Sequence, residues 1–155
     1  MESTIYVKPE RIRQYVIDLF GYYHVSKTDA AMIADNLIDA EIRGVTTHGL
    51  TRIPLYTEKL ISGLCDAKAV PEIVKNYGAT ALIDAHDGLG QVAATKAMEL
   101  AIEKAEQFGV GYVGLRNGSH YGTAGYYAMM AEKRGMIGFS MTNSGAFVAP
   151  FGGVE

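Results

Sequence analysis

The hydrophobic pattern changes period once along the chain, and that change predicts helices first and a mixed sheet afterwards. In the first third, Ile12, Tyr15, Val16, Leu19, Phe20 and Tyr23 recur at helical spacing behind Pro9, a residue suited to a first helical turn. Ser26 is placed to cap a second helix, with Asp29 three residues on as a weaker capping box. That helix is expected to run to about Arg43, with Ala30, Ile33, Ala34, Leu37, Ile38 and Glu41 along one side, and to turn at Gly44. Thr46 and Thr47 offer hydroxyl caps for a third helix through about Ile61, closed by Gly63. After Pro71 the texture differs. Ile73-Val74 and Ala81-Leu82-Ile83 read as short strands around a turn at Gly78. Gln91 to Gln107 reads as a strong helix ended by Gly109, Val110 to Leu115 as a buried strand, Ala124 to Lys133 as a helix, and Met136 to Met141 as a strand. The expected class is therefore mixed α/β. A helical segment covers 1–70, the start of an α/β domain covers 71–155, and the seam lies at Leu64 to Val70.

Composition agrees with a packed fold. The 155 residues are 48% hydrophobic and 20% charged, which is enough apolar material for a core and unlike a disordered chain. A net charge of −3 gives no footprint for nucleic acid or an anionic membrane, so neither is expected as a partner. The single Cys65 cannot pair within the chain, no apolar run approaches the roughly 20 residues of a membrane span, and no secretory signal is read at the start. The expected compartment is the cytoplasm. No metal is expected, because His24, His48, His86 and His120 are scattered and neither H-E-x-x-H nor C-x-x-C occurs. Asp84, His86 and Asp87 read as a polar turn.

Of the 18 glycines, 13 lie from Gly88 onward, which places the loops that allow close backbone approach in the second part. Three segments carry chemistry. In Thr46 to Tyr56, the residues His48, Arg52 and Tyr56 are spaced by four and would share one helical face. A histidine can exchange a proton near neutral pH, an arginine fork matches a carboxylate, and a phenol can orient a substrate. The start of that helix would add backbone donors for an anion, although Pro54 weakens the reach from Arg52 to Tyr56. A solvated helix face with a capping histidine is the plainer alternative. In Leu115 to Gly125, a polar, glycine-rich loop joins a strand to a helix and carries His120 as a second acid/base candidate; a turn with a surface histidine reads equally well. In Met141 to Gly153, Thr142, Asn143 and Ser144 follow a strand and could hydrogen-bond a cofactor or substrate, or could simply cap the strand end.

Gly88-Leu89-Gly90-Gln91-Val92-Ala93 also fits the dinucleotide pattern G-x-G-x-x-A. The pattern wants an acidic residue at the end of the next strand, where this chain has Arg116-Asn117. Arg116 could instead select a 2′-phosphate, but a single β-α-β unit gives the motif little weight.

Taken together, these segments resemble the malate/L-lactate dehydrogenase family of the second type. That group includes ureidoglycolate and sulfolactate dehydrogenases, diketogulonate reductase and piperideine-carboxylate reductase. Gly44 to Arg52 resembles its G-x-x-S-H-G-x-x-R signature, Gly111 to Gly125 its V-R-N-S-x-H-x-G-x-A-G stretch, and Gly135 to Gly153 its G-x-I-G-x-x-x-T-N-S…V-A-P-x-G-G stretch. The resemblance implies NAD- or NADP-dependent interconversion of a small 2-hydroxy acid and a 2-oxo acid on a non-Rossmann cofactor domain, in a homodimer. It implies an acid/base role for His48 or His120, carboxylate binding by Arg52, substrate contact at Tyr56 and cofactor contact at Ser144. Thr47 stands where the family has serine; the resemblance implies a substrate-binding hydroxyl there, with an added methyl that would tighten the pocket. Family members continue well beyond Glu155, so the resemblance implies the N-terminal part of a larger enzyme. A small-carboxylate binding module without hydride chemistry, or an inactive fragment, are the alternatives.

Overall fold

The computed structural model describes residues 6–143 and Gly153. Helix α1 spans Pro9–Tyr22 with proline in its first turn, and α2 spans Lys27–Ile42. The Ser26 hydroxyl accepts the Asp29 N–H at 3.1 Å and donates to the Asp29 carboxylate at 2.7 Å, so the expected cap forms in both directions. The two helices pack along Val16, Phe20, Ile33 and Leu37, all fully buried. Burying each such side chain contributes about 1.5–3 kcal/mol.

The third helix is shorter than its sequence suggested. Thr46–His48 and Leu50–Arg52 are separate 3-10 turns, and α3 begins only at Ile53 and ends at Ile61. Pro54 explains the boundary: it has no N–H to bond back to residue 50, so it suits the first turn of a helix and interrupts one that began earlier. The long helix start expected at Thr46-Thr47 is therefore absent, and with it the array of backbone donors expected to hold an anion there.

The second part is a three-stranded sheet in the order β1 (Glu72–Tyr77), β2 (Thr80–Asp84), β3 (Tyr112–Arg116). The turn at Gly78 pairs β1 with β2 antiparallel, with a register irregularity between Ile73 and Lys75. Helix α4 (Gly90–Phe108) then crosses over to place β3 parallel to β2, from Thr80 beside Tyr112 to Asp84 beside Arg116. Gly109, at φ 80°, supplies the left-handed residue that ends α4. β3 is half-exposed rather than buried, because it has a neighbour on one side only among the described residues. Helix α5 spans Ala124–Glu132. The strand expected at Met136 to Met141 does not form. No described strand lies beside it to complete a ladder, and Ile137, Phe139 and Met141 face outward.

The helical part and the sheet part share one core: Leu89 and Val92 of the second pack into the cluster formed by α1 and α2. The contact at the start of α4 is closer still. A side chain on Gly90 would bring its Cβ to 2.2 Å from the Ser119 carbonyl oxygen and 2.6 Å from that of His120. Backbone oxygens cannot swing aside, so Gly90→Ala should destabilise the fold by more than 2 kcal/mol, in the range of core overpacking. Gly125→Ala, in open space within α5, should be neutral or stabilise by up to about 1 kcal/mol. Urea unfolding of the two variants checks the contrast.

Candidate active site

Two loops from opposite halves of the chain meet at His120. Tyr56, on α3, is fully buried, and its hydroxyl lies 2.8 Å from His120 Nδ1. The His48 ring stacks on that of His120 with centroids 5.5 Å apart. His48, Tyr56 and His120, placed apart in sequence, are thus brought together. The His48 Nδ1 atom is 3.0 Å from the Thr47 hydroxyl. Arg52 Nε donates to the Thr47 carbonyl at 2.5 Å, and its two terminal nitrogens hold no hydrogen bond to described residues. Lys59, one turn beyond Tyr56 on α3, donates to the Ser119 hydroxyl at 2.9 Å. Its i+3 spacing from Tyr56 was the available sequence signal for this residue, which the motif reading missed.

The electrostatics suit an anion. Neither Arg52 nor Lys59 is in an ion pair among the described residues. Burial lowers the His120 pKa, and the nearby positive groups of His48, Arg52 and Lys59 lower it further, so the imidazole stays neutral to lower pH than an ordinary histidine. Burial pushes the Tyr56 phenol upward, which keeps its proton in place throughout the physiological range.

Each loop is anchored from behind. The Glu41 carboxylate on α2 accepts the Leu50 N–H at 3.1 Å, and Gly49 leaves room for it: a Cβ there would lie 2.1 Å from Glu41 Oε2. On the other side, Asp84 at the end of β2 accepts the His86 N–H at 2.9 Å, Asn117 Nδ2 at 2.9 Å and Arg116 Nε at 2.8 Å. These donors hold its pKa down at about 2, the His86 amide having the largest effect. His86, Asp87 and Asn117 take left-handed backbone conformations around it, which residues of these types tolerate better than most. The polar turn expected there is thus the stem of the His120 loop. Arg116, considered above for a 2′-phosphate, is committed to Asp84 instead.

The G-x-G-x-x-A motif holds no dinucleotide. A Cβ on Gly88 would meet Ala69 Cβ and the Ala85 carbonyl, both at 2.9 Å, and Gly90 abuts the Ser119 and His120 carbonyls, so protein fills both glycine positions. Thr142 and Asn143 are exposed, on a segment whose Ser140 hydroxyl lies 3.4 Å from the Tyr121 hydroxyl, next to His120. The Thr142 hydroxyl donates to the Asn143 carbonyl at 3.1 Å. Ser144 lies outside the described residues. Among the described residues, no group of three or more His, Cys, Asp or Glu side chains is arranged to hold a metal, and no helix is long and apolar enough to cross a membrane.

The family model for malate/L-lactate dehydrogenase matches residues 7–155. The chain belongs to the malate/L-lactate dehydrogenase family. It is 44% identical over 154 residues to malate dehydrogenase from Pyrococcus horikoshii, covering 99% of this chain and 43% of that protein. It is 46% identical over 149 residues to L-sulfolactate dehydrogenase from Methanocaldococcus jannaschii, covering 96% of this chain and 43% of that one. The solved structure of the M. jannaschii sulfolactate dehydrogenase superposes with a TM-score of 0.82 at 44% identity, over 84% of this chain and 38% of that chain. The chain therefore spans less than half the length of the relatives it matches, and its fold is the corresponding part of theirs.

Two measurements test the anchors. Glu41→Ala should cost about 1–3 kcal/mol by leaving the Leu50 N–H without its partner. Gly49→Ala displaces the same carboxylate, so the double variant should cost clearly less than the sum of the two single ones. For Asp84, the ordinary value of 3.8 falls to about 2 on folding. Its stabilising contribution is thus present above the ordinary value and lost as the pH falls through the folded one. Asp84→Asn should flatten the acid limb of the stability curve between those two values, measured by urea unfolding at a series of pH values.

Proposed function

We propose that the protein to which this chain belongs is an NAD- or NADP-dependent dehydrogenase that interconverts a small 2-hydroxy acid and the matching 2-oxo acid. The observation that carries the reading is two cations, Arg52 and Lys59, without ion-pair partners among the described residues, beside a half-buried histidine whose inner nitrogen is hydrogen-bonded to a buried phenol. Arg52 offers its terminal nitrogens to the substrate carboxylate as a fork, and Lys59 adds positive charge on the same side. Thr47 fixes the Arg52 side chain through its carbonyl and orients His48 through its hydroxyl. His120 meets the C2 oxygen and exchanges a proton with it, and His48 stacks against its ring. Tyr56 holds His120 in place. Thr142, Asn143 and Ser144 are the residues of this chain offered to the cofactor, which when bound supplies or accepts the hydride at C2. The names of the similar proteins, malate and sulfolactate dehydrogenase, support a small dicarboxylate or sulfonated acid as the substrate class.

In the family-length protein, Arg52→Ala should mainly raise KM, by roughly 10- to 150-fold, the value of a charge-assisted contact. His120→Ala should lower kcat by about 10²–10⁴-fold, the usual worth of a general acid or base. Steady-state kinetics with oxaloacetate or pyruvate and NADH or NADPH read both effects. Wild-type kcat in both His120→Ala and His48→Ala would overturn the assignment. Retained carboxylate binding with no quenching of NADH or NADPH fluorescence would leave a carboxylate-binding module in its place.

A further inference from the structure

Two buried polar residues, 91 positions apart, meet the loop that carries His120, and the chemistry above uses neither. Asn36 on α2 is 0% exposed and Tyr127 on α5 is 1% exposed. The Tyr127 hydroxyl donates to the Tyr121 carbonyl. Its ring also stacks on that of Tyr121, with centroids 5.0 Å apart and planes 6° apart. Asn36 Nδ2 lies 3.4 Å from the Tyr127 hydroxyl. The one proton of that hydroxyl goes to the carbonyl, so the Asn36 amide is the donor in this contact. Asn36 Oδ1 faces Gly122, where a Cβ would lie 2.0 Å from it and where the backbone is left-handed at φ 83°. The Gly122 N–H then donates to His120 Nδ1 at 3.3 Å. Burial pushes the Tyr127 phenol upward, so its proton stays in place for the Tyr121 carbonyl.

We propose that Tyr127 is a positioning residue for His120, with Asn36 behind it: the Asn36 amide, the Tyr127 hydroxyl and the Tyr121–Gly122 peptide form one donor-to-acceptor chain that ends on Nδ1 and leaves the imidazole proton on Nε2. The carbonyl that accepts from Tyr127 and the N–H that donates to His120 belong to the same peptide unit. That unit is planar, so holding its carbonyl also aims its N–H. A hydrogen bond to the carbonyl draws electrons toward the oxygen and makes the N–H a stronger donor. A backbone N–H can only donate, so Nδ1 carries the lone pair, and the Tyr56 hydroxyl at 2.8 Å is a second donor to it. In neutral imidazole the proton then sits on Nε2. The charged and titratable groups facing His120 are His48 and Arg52 from the 3-10 turns and Lys59 and Tyr56 from α3, while α4 meets its backbone at Gly90. The inference rests on the proposed role of His120. It adds that the resting imidazole presents an N–H to the incoming C2 oxygen, as a carbonyl group requires.

Nitrogen-15 NMR of labelled histidines in the full 155-residue chain tests this without cofactor or substrate. In the wild type, neutral His120 should show a protonated Nε2 and an unprotonated Nδ1. Tyr127→Phe keeps the stacked ring and removes only the oxygen. A donor on Nδ1 opposes protonation there, so weakening it should at least double the Nδ1–H fraction. The His120 midpoint should move upward by roughly 0.3 to 1 pH unit, the scale of one neutral hydrogen bond. Asn36→Leu removes the first donor but leaves the Tyr127 hydroxyl on the carbonyl, so it should move both readouts the same way by less. Phe20→Leu loosens the core between α1 and α2 without touching the chain of hydrogen bonds and should move neither. A wild-type His120 protonated on Nδ1 overturns the proposal. So does a Tyr127→Phe variant with both readouts at wild-type values, or a Phe20→Leu variant that moves them as far as Tyr127→Phe does. Unmoved signals in Tyr127→Phe, with kcat still lost in His120→Ala of the family-length protein, would remove the positioning role and leave the proposed function standing. Wild-type kcat in His120→Ala would remove the proposed function and leave these signals as they are.

Discussion

One hydrogen bond between the two halves of this chain organises the site: the buried Tyr56 hydroxyl on His120 Nδ1, across 64 residues of sequence, with the Lys59–Ser119 bond beside it. It requires three separate conditions. α3 must start late enough to aim Tyr56 inward, which Pro54 ensures. The His120 loop must turn back beneath α4, which the missing side chain of Gly90 permits. The helical part and the sheet must share one core, which Leu89 and Val92 provide by packing among residues of α1 and α2.

The site is thus a cationic cluster built on regular supports. Its reactive groups come from loops, and both loops are held by carboxylates on regular elements, Glu41 on α2 and Asp84 on β2. Loops held in this way can carry functional groups at fixed positions while keeping the irregular backbone that a small ligand needs. Arg52 and Lys59, without ion-pair partners among the described residues, place positive charge beside His120, and that charge helps to keep it neutral. An anion bound beside Arg52 and Lys59 would offset the positive field that lowers the His120 pKa, so its binding and the protonation of the histidine would be coupled.

Much of this was legible in the sequence. The caps at Ser26 and Gly109, the turn at Gly78 and the periodicity of α1, α2 and α4 are local signals, and the structure follows them. The motifs around His48, Arg52 and His120 also pointed to the family that the chain belongs to. The structure departs from these local signals in one way. A helix from Thr46 was inferred from spacing, but backbone hydrogen bonding around Pro54 and the Glu41 contact to Leu50 divide it into turns. A strand at Met136 was inferred from its apolar residues, but a strand needs a partner edge, and none lies beside it among the described residues.

The sequence by itself determined where α1, α2 and α4 begin and end, the order β2, α4, β3, and which residue types were available for proton exchange and carboxylate binding. Those properties depend on neighbours within a few positions, where capping, turn geometry and periodicity act. Only the tertiary structure decided that His48 stacks on His120, that Lys59 joins the site, that Arg116 is committed to Asp84, and that protein fills the G-x-G-x-x-A glycines. Each of these is a contact between segments far apart in the chain. Their chemistry depends on which groups are buried together, and spacing along one strand or helix carries no record of that.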